Sequence, residues 1–180
     1  SGPDRDAKLT PRIAESAKFL WLIYTALTLA CVISYYLAGM NFFDAVCHAF
    51  STVAIGGFST HDQSFQYFDL TSIKLVAIFF MIVSGVNFAL HFSVLKRRNP
   101  FLYLADAEVR TFFLVLLLVS LFLVVVFQFR QSDSDADYID HLFQAVSFAT
   151  TTGFVSSELY LWPPIAQVIL ILAAFAGGCA

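Results

Sequence analysis

Ser51-Thr-Val-Ala-Ile-Gly-Gly-Phe58 and, 96 residues further on, Ser147-Phe-Ala-Thr-Thr-Thr-Gly-Phe154 decide how this chain is read. Both stretches are uncharged and rich in threonine and glycine, and each closes a short apolar run, 42–52 or 138–150. An apolar bilayer core about 30 Å thick takes about 20 helical residues, so neither run is long enough to cross it. Each can only dip in and return. Non-helical backbone at that depth must be buried in protein or line a water-filled path, because lipid satisfies no amide or carbonyl. A pair of re-entrant pore loops meets that requirement.

The two loops are copies. The 96-residue shift pairs Asp44 with Asp140, Ala49 with Ala145, Ser51 with Ser147, Gly57 with Gly153 and Phe58 with Phe154. It also sets Val46 on Leu142, Phe50 on Val146 and His48 on Gln144. A candidate span precedes and follows each loop, so the chain is a tandem of helix, loop, helix. An aspartate at the start of a short helix caps free N–H groups and opposes the positive end of its dipole. The negative end then points to mid-membrane, where it favours a cation. Carbonyl oxygens replace a cation's hydration shell without any acidic side chain, and glycine permits the backbone angles that aim them. Two such loops around one ion path place Gly57 and Gly153 within roughly 12 Å of each other.

The rest of the sequence agrees with life in lipid. Of 180 residues, 59% are apolar and 13% charged, with a mean hydropathy of +0.77, which excludes an ordinary soluble domain. Four stretches meet or approach the length of a span: 18–40, 72–95, 110–129 and 164–180, the last opened by Pro164 at a first helical turn. Residues 1–17 form a charged amphipathic segment before the first. Lys96, Arg97 and Arg98 after the second span, with Arg5, Lys8, Arg12 and Lys18 before the first, mark the cytoplasmic side. Both loops then face outward. Asp133, Asp135 and Asp137 read as a solvated stretch of the second outer connection. The missing initiator Met and the apolar run at the C-terminus read as an internal piece of a longer chain.

Several classes drop out. A net charge of −3 offers nothing to nucleic acid. Cys31, Cys47 and Cys179 have neither metal-ligand nor disulfide spacing. No HExxH, GxSxG or paired intramembrane carboxylates suggest an enzyme. Of the four histidines only His91 lies on a long span, so haem ligation by paired histidines is not expected. Asn87 and His91, four residues apart in the second span, read as packing groups.

The motif Ser51-Thr-Val-Ala-Ile-Gly-Gly-Phe-Ser-Thr-His-Asp62 resembles the second filter of the pore subunit of Trk-type bacterial potassium uptake systems, and Ala149-Thr-Thr-Thr-Gly-Phe154 resembles the third. The wider family includes the Ktr and plant HKT transporters. The resemblance implies an all-α membrane protein with tandem helix, pore-loop, helix repeats of a potassium-channel-like pore. Residues 18–98 would be the family's second repeat (helix 18–40, pore helix 43–51, filter 52–58, helix 72–95). Residues 99–180 would be a truncated third (helix 110–129, pore helix 139–149, filter 150–154, helix 164–180). It implies K+ bound by main-chain carbonyls of Ile55, Gly56, Gly57, Thr151, Thr152 and Gly153, with Val53, Ala54 and Thr150 as secondary candidates. A glycine-rich gating loop would begin near Gly177-Gly178-Cys179-Ala180. It further implies K+ uptake across the bacterial inner membrane as a multi-pass protein, a homodimer, and a cytoplasmic TrkA-like ring of nucleotide-binding regulatory subunits. Coupling to H+ or Na+ in a symport is not legible in these residues. The alternative is a structural or accessory membrane subunit without transport activity of its own.

Overall fold

The computed structural model describes the backbone of residues 4–130 and 138–178, and side chains within 17–128 and 138–178. The aspartates at 133, 135 and 137, and Cys179 and Ala180, lie outside the described residues. The described chain is helical throughout: α1 (Asp4–Ala38), α2 (Phe42–Val53), α3 (Thr71–Gly85), α4 (Phe88–Arg97), α5 (Phe101–Ala105), α6 (Ala107–Arg130), α7 (Tyr138–Ala149) and α8 (Pro164–Gly177). Short 3-10 turns at Ser64–Tyr67 and Leu159–Leu161 follow the two loops. By length and composition α1 and α6 can cross a membrane, and α3 with α4 makes a third span if the bent pair is taken together. At 12 residues, α2 and α7 are about 18 Å long and cannot.

The first span begins earlier than the sequence suggests. Helix α1 runs unbroken from Asp4 through the amphipathic segment and stops at Ala38, where Gly39 takes φ +113°. The second span differs more. A single helix over 72–95 is expected, but α3 and α4 meet at an angle of 84°. Gly85 ends α3 where a Cβ would press to 3.0 Å from the Thr150 methyl and 3.4 Å from the Phe112 ring. Asn87 then restarts the chain as an N-cap, accepting from the Ala89 amide at 2.9 Å. His91 joins the two halves: Nε2 donates to the Val83 carbonyl at the break (2.9 Å), which also accepts from the Val86 amide (3.3 Å), and Nδ1 accepts from the Tyr103 hydroxyl (2.7 Å). Asn87 and His91 thus bond to backbone groups on either side of the break.

The core lies where the two loops meet. Tyr35, Phe65, Phe143 and Phe154 are fully buried. Phe65, in the 3-10 turn of the first unit, holds its ring centroid 5.1 Å from Phe143 and 4.5 Å from Phe154 of the second. The units share one aromatic core.

Candidate ion-conduction site

Each loop is a short helix followed by a strand-like leg that climbs back along it. On α2 the leg can be followed by its hydrogen bonds. Ser59 Oγ lies 2.9 Å from His48 Nε2 at mid-helix. Thr60 Oγ1 (2.6 Å) and His61 Nε2 (2.9 Å) then donate to the Asp44 carboxylate in the first turn. On α7, Ser147 Oγ donates to the Phe154 carbonyl at 2.8 Å, and Gln144 Nε2 reaches Ser156 Oγ at 3.5 Å. The legs therefore run antiparallel to their helices, which is the re-entrant geometry expected.

Asp44 has a different task from the one its position suggests. The N-cap of α2 is Asn41, whose Oδ1 accepts from the Asp44 amide at 2.9 Å while its Nδ2 donates to the Asp44 carboxylate at 2.6 Å. Asp44 sits in the first turn and clamps the returning leg. Burial alone pulls its pKa upward, but the hydrogen bonds from Thr60, His61 and Asn41, with the His61 charge, outweigh it and hold the carboxyl below its usual value. Its counterpart Asp140 is held across the repeat boundary, accepting from Lys74 Nζ of α3 at 2.7 Å. The sequence gives no sign of that pair, because 66 residues separate the partners.

Both pore helices end alike. After α2, the amides of Ala54, Ile55 and Gly56 bond to the carbonyls of Phe50, Thr52 and Ser51. After α7, those of Thr150, Thr151 and Thr152 bond to Val146, Phe148 and Ser147, the same three bonds 96 residues on. This is the Schellman termination, which places the residue after the cap in the left-handed region and normally selects glycine there. Here that residue is Ile55 (φ 54°) and Thr151 (φ 60°), two β-branched residues in a conformation that disfavours them. Two positions on, Gly57 (φ 67°) and Gly153 (φ 87°) are left-handed again. A left-handed residue at every second position turns successive carbonyls out of the alternation of an extended strand.

Those carbonyls are free. Among the described residues, none of the carbonyls of residues 53–57 or 150–153 accepts a hydrogen bond from the protein. Val53, Thr150 and Thr152 are buried and Ile55, Gly56 and Gly57 half-buried, where backbone acceptors are rarely left without another partner, while Ala54, Thr151 and Gly153 are exposed. The first of the two expected stretches, 52–58, is shifted slightly: Thr52 and Val53 belong to α2, so the irregular part starts at Ala54, while the second starts at Thr150 directly after α7. Thr52 is fully buried, its Oγ1 2.8 Å from the Tyr35 hydroxyl. Thr150 and Thr152 are buried with their hydroxyls 2.7 Å apart, which turns both side chains away from solvent.

The two loops touch. A Cβ on Gly57 would run into the Thr152 carbonyl oxygen and lie 3.2 Å from the Gly153 carbonyl carbon. The glycines are thus well inside the roughly 12 Å expected of adjacent walls of one path. Beneath the first loop lies a cavity of about 750 Å³, bordered by Val53, Ala54, Ile55, Ser84, Gly85 and Phe112. Below the second, Gly177 at the end of α8 abuts the Ala149 carbonyl and the Thr151 methyl.

Tandem helix, pore-loop, helix units of this kind define an all-α, multi-pass membrane protein with potassium-channel-like loops. All 180 residues match the TrkH family, described as a cation transport protein, and the chain belongs to that family. It is 45% identical over 99% of its length to the Trk system potassium uptake protein TrkH of Vibrio parahaemolyticus, and equally so to TrkH of Escherichia coli K12. Identity to E. coli TrkG is 39%, again over 99% of this chain. The chain spans 38% of the length of the two TrkH relatives and 37% of TrkG. The crystal structure of the potassium transporter TrkH from V. parahaemolyticus superposes with a TM-score of 0.85 at 42% identity, over 93% of this chain and 37% of that one.

Proposed function

We propose that residues 54–57 and 150–153 form two walls of a K+ selectivity filter, and that this segment serves K+ uptake across the bacterial inner membrane. The carbonyls of Ile55, Gly56, Gly57, Thr151, Thr152 and Gly153 hold the dehydrated ion, and those of Val53, Ala54 and Thr150 flank it. One observation carries this reading: two runs of unpaired carbonyls, with left-handed residues at the same alternate positions, meet face to face at Gly57. The potassium uptake relatives support the choice of ion. K+ is the transported species and not a resident cofactor. The working assembly is a homodimer on a cytoplasmic nucleotide-binding ring.

The test is thermal unfolding of the whole protein in detergent with K+, Rb+, Na+ or Li+. A carbonyl site favours ions whose hydration is cheaper to strip, so K+ and Rb+ raise the melting temperature above that in Na+ and Li+. Equal melting in all four salts contradicts the reading and leaves a structural or accessory subunit.

A further inference from the structure

We infer that His48 is a specificity-determining positioning residue, a tether that fixes the outer limb of the first filter to its pore helix and registers it against the second. The inference rests on the filter reading above and deepens it. His48 is fully buried on α2. Its Nδ1 lies 2.8 Å from the Asp44 carbonyl, which can only accept, so Nδ1 carries the proton. In the neutral ring Nε2 then accepts, and its partner is the Ser59 hydroxyl at 2.9 Å. Ser59 Oγ in turn accepts from the His61 backbone amide at 3.1 Å. Every role in this chain is fixed, and it runs from the helix to the leg two residues beyond Gly57.

The ring cannot turn away. Phe65 and Phe68 stand edge-on to it, with centroids at 5.3 and 5.2 Å. Phe154, the residue after Gly153 in the second filter, lies 6.1 Å away on another side. His48 therefore hydrogen-bonds to one filter limb and packs near the other. The second loop has only a looser counterpart: Gln144, at the equivalent position and also fully buried, reaches Ser156, one position further along than the equivalent of Ser59, at a longer 3.5 Å.

The experiment measures Rb+ and Na+ uptake by the whole protein in proteoliposomes. Loss of one buried hydrogen bond lets the limb relax, so His48→Leu and Ser59→Ala each lower the Rb+ over Na+ ratio about three- to tenfold. H48Q keeps a side-chain amide within reach of the Ser59 hydroxyl and keeps the ratio within about threefold of the parent. The double variant is no worse than the poorer single one, because both remove the same bond. Ser59 is half-buried on a leg outside the helices, so S59A reports even if the leucine variant does not fold. An unchanged ratio in S59A, or an H48Q as impaired as H48L, overturns the tether while leaving the filter reading intact. A parent protein without preference for Rb+ overturns the filter reading itself, and the tether with it.

Discussion

Gly57→Ala adds a single methyl group at the point where the two filter limbs meet. The residue holds φ at 67°, which costs an L-residue about 1–2 kcal/mol. The methyl also runs into the Thr152 carbonyl oxygen, with the Thr152 carbonyl carbon at 3.0 Å. These obstacles are backbone atoms on a limb tied down by Ser147 and Ser64, so no side-chain rotation relieves them. Restoring ordinary contact requires the limbs to part by on the order of 1 Å, and overpacking of this kind costs about 1–3 kcal/mol. The Thr152 carbonyl that must move belongs to the proposed ion site. A loss of about 1.4 kcal/mol in K+ binding is already tenfold. We expect G57A to insert in the membrane, to lose most of its K+-dependent gain in melting temperature, and to discriminate K+ from Na+ at least about tenfold less well in proteoliposome flux. If it keeps both its K+-dependent stabilisation and its K+ over Na+ uptake ratio, Gly57 is not part of the filter.

Lys74→Met leaves the Asp140 carboxylate without its charged partner and should cost about 3 kcal/mol, the lower end for a buried pair because both side chains retain some exposure. Adding Asp140→Asn should recover most of that loss in the same unfolding assay, and a double variant as unstable as the single would show that the pair is not what matters. Ile55→Gly removes about 1–2 kcal/mol of left-handed strain while adding about 0.5–1 kcal/mol of backbone entropy, so stability should change by no more than about 1.5 kcal/mol as K+ over Na+ discrimination falls. Unaltered selectivity in that variant would mean the strained conformation is incidental. Gly177→Ala places a methyl against the Ala149 carbonyl. It should displace the end of α8, read as a gain in protease or thiol-reagent access near Gly178, and no change in access would refute the close seat.

Much of this architecture is written in the amino-acid pattern, and the parts that are not share a cause. Short apolar runs bounded by long ones predict re-entrant helices, and the 96-residue repeat identifies equivalent positions without any structure. The bend at Gly85 escaped because the window 72–95 stays apolar on both sides of it, and only Gly85 and Asn87, a weak helix former followed by an N-cap type, mark the place. The sequence places Asp44 in the correct turn, where it does oppose the helix dipole, but the cap is Asn41, since a carboxylate there suits either a cap or a clamp and only the returning leg decides. The Lys74–Asp140 pair and the His48–Ser59 tether depend on which surfaces the fold brings together. Sequence spacing carries no such information.

The left-handed residues at Ile55 and Thr151 escaped for a more instructive reason. Glycine would end each pore helix at lower cost, and the position that wants it carries a β-branched residue in both copies. A glycine turn would be easy to form and also easy to deform, because glycine occupies many backbone states of similar energy. A β-branched residue has few states, and once the bonds to Thr52 and Ser51, or to Phe148 and Ser147, impose the left-handed one, little is left to relax into. The unpaired carbonyls that follow are thereby held in place by covalent stiffness, with His48 and Ser147 fixing the far end of each limb through hydrogen bonds. Strain of this size persists only where surrounding structure over-determines it, and here both ends of each limb do so. A cage that resists shrinking onto the smaller of two equally charged cations would serve the K+ preference proposed above, and propensity, read alone, assigns glycine to both of these positions.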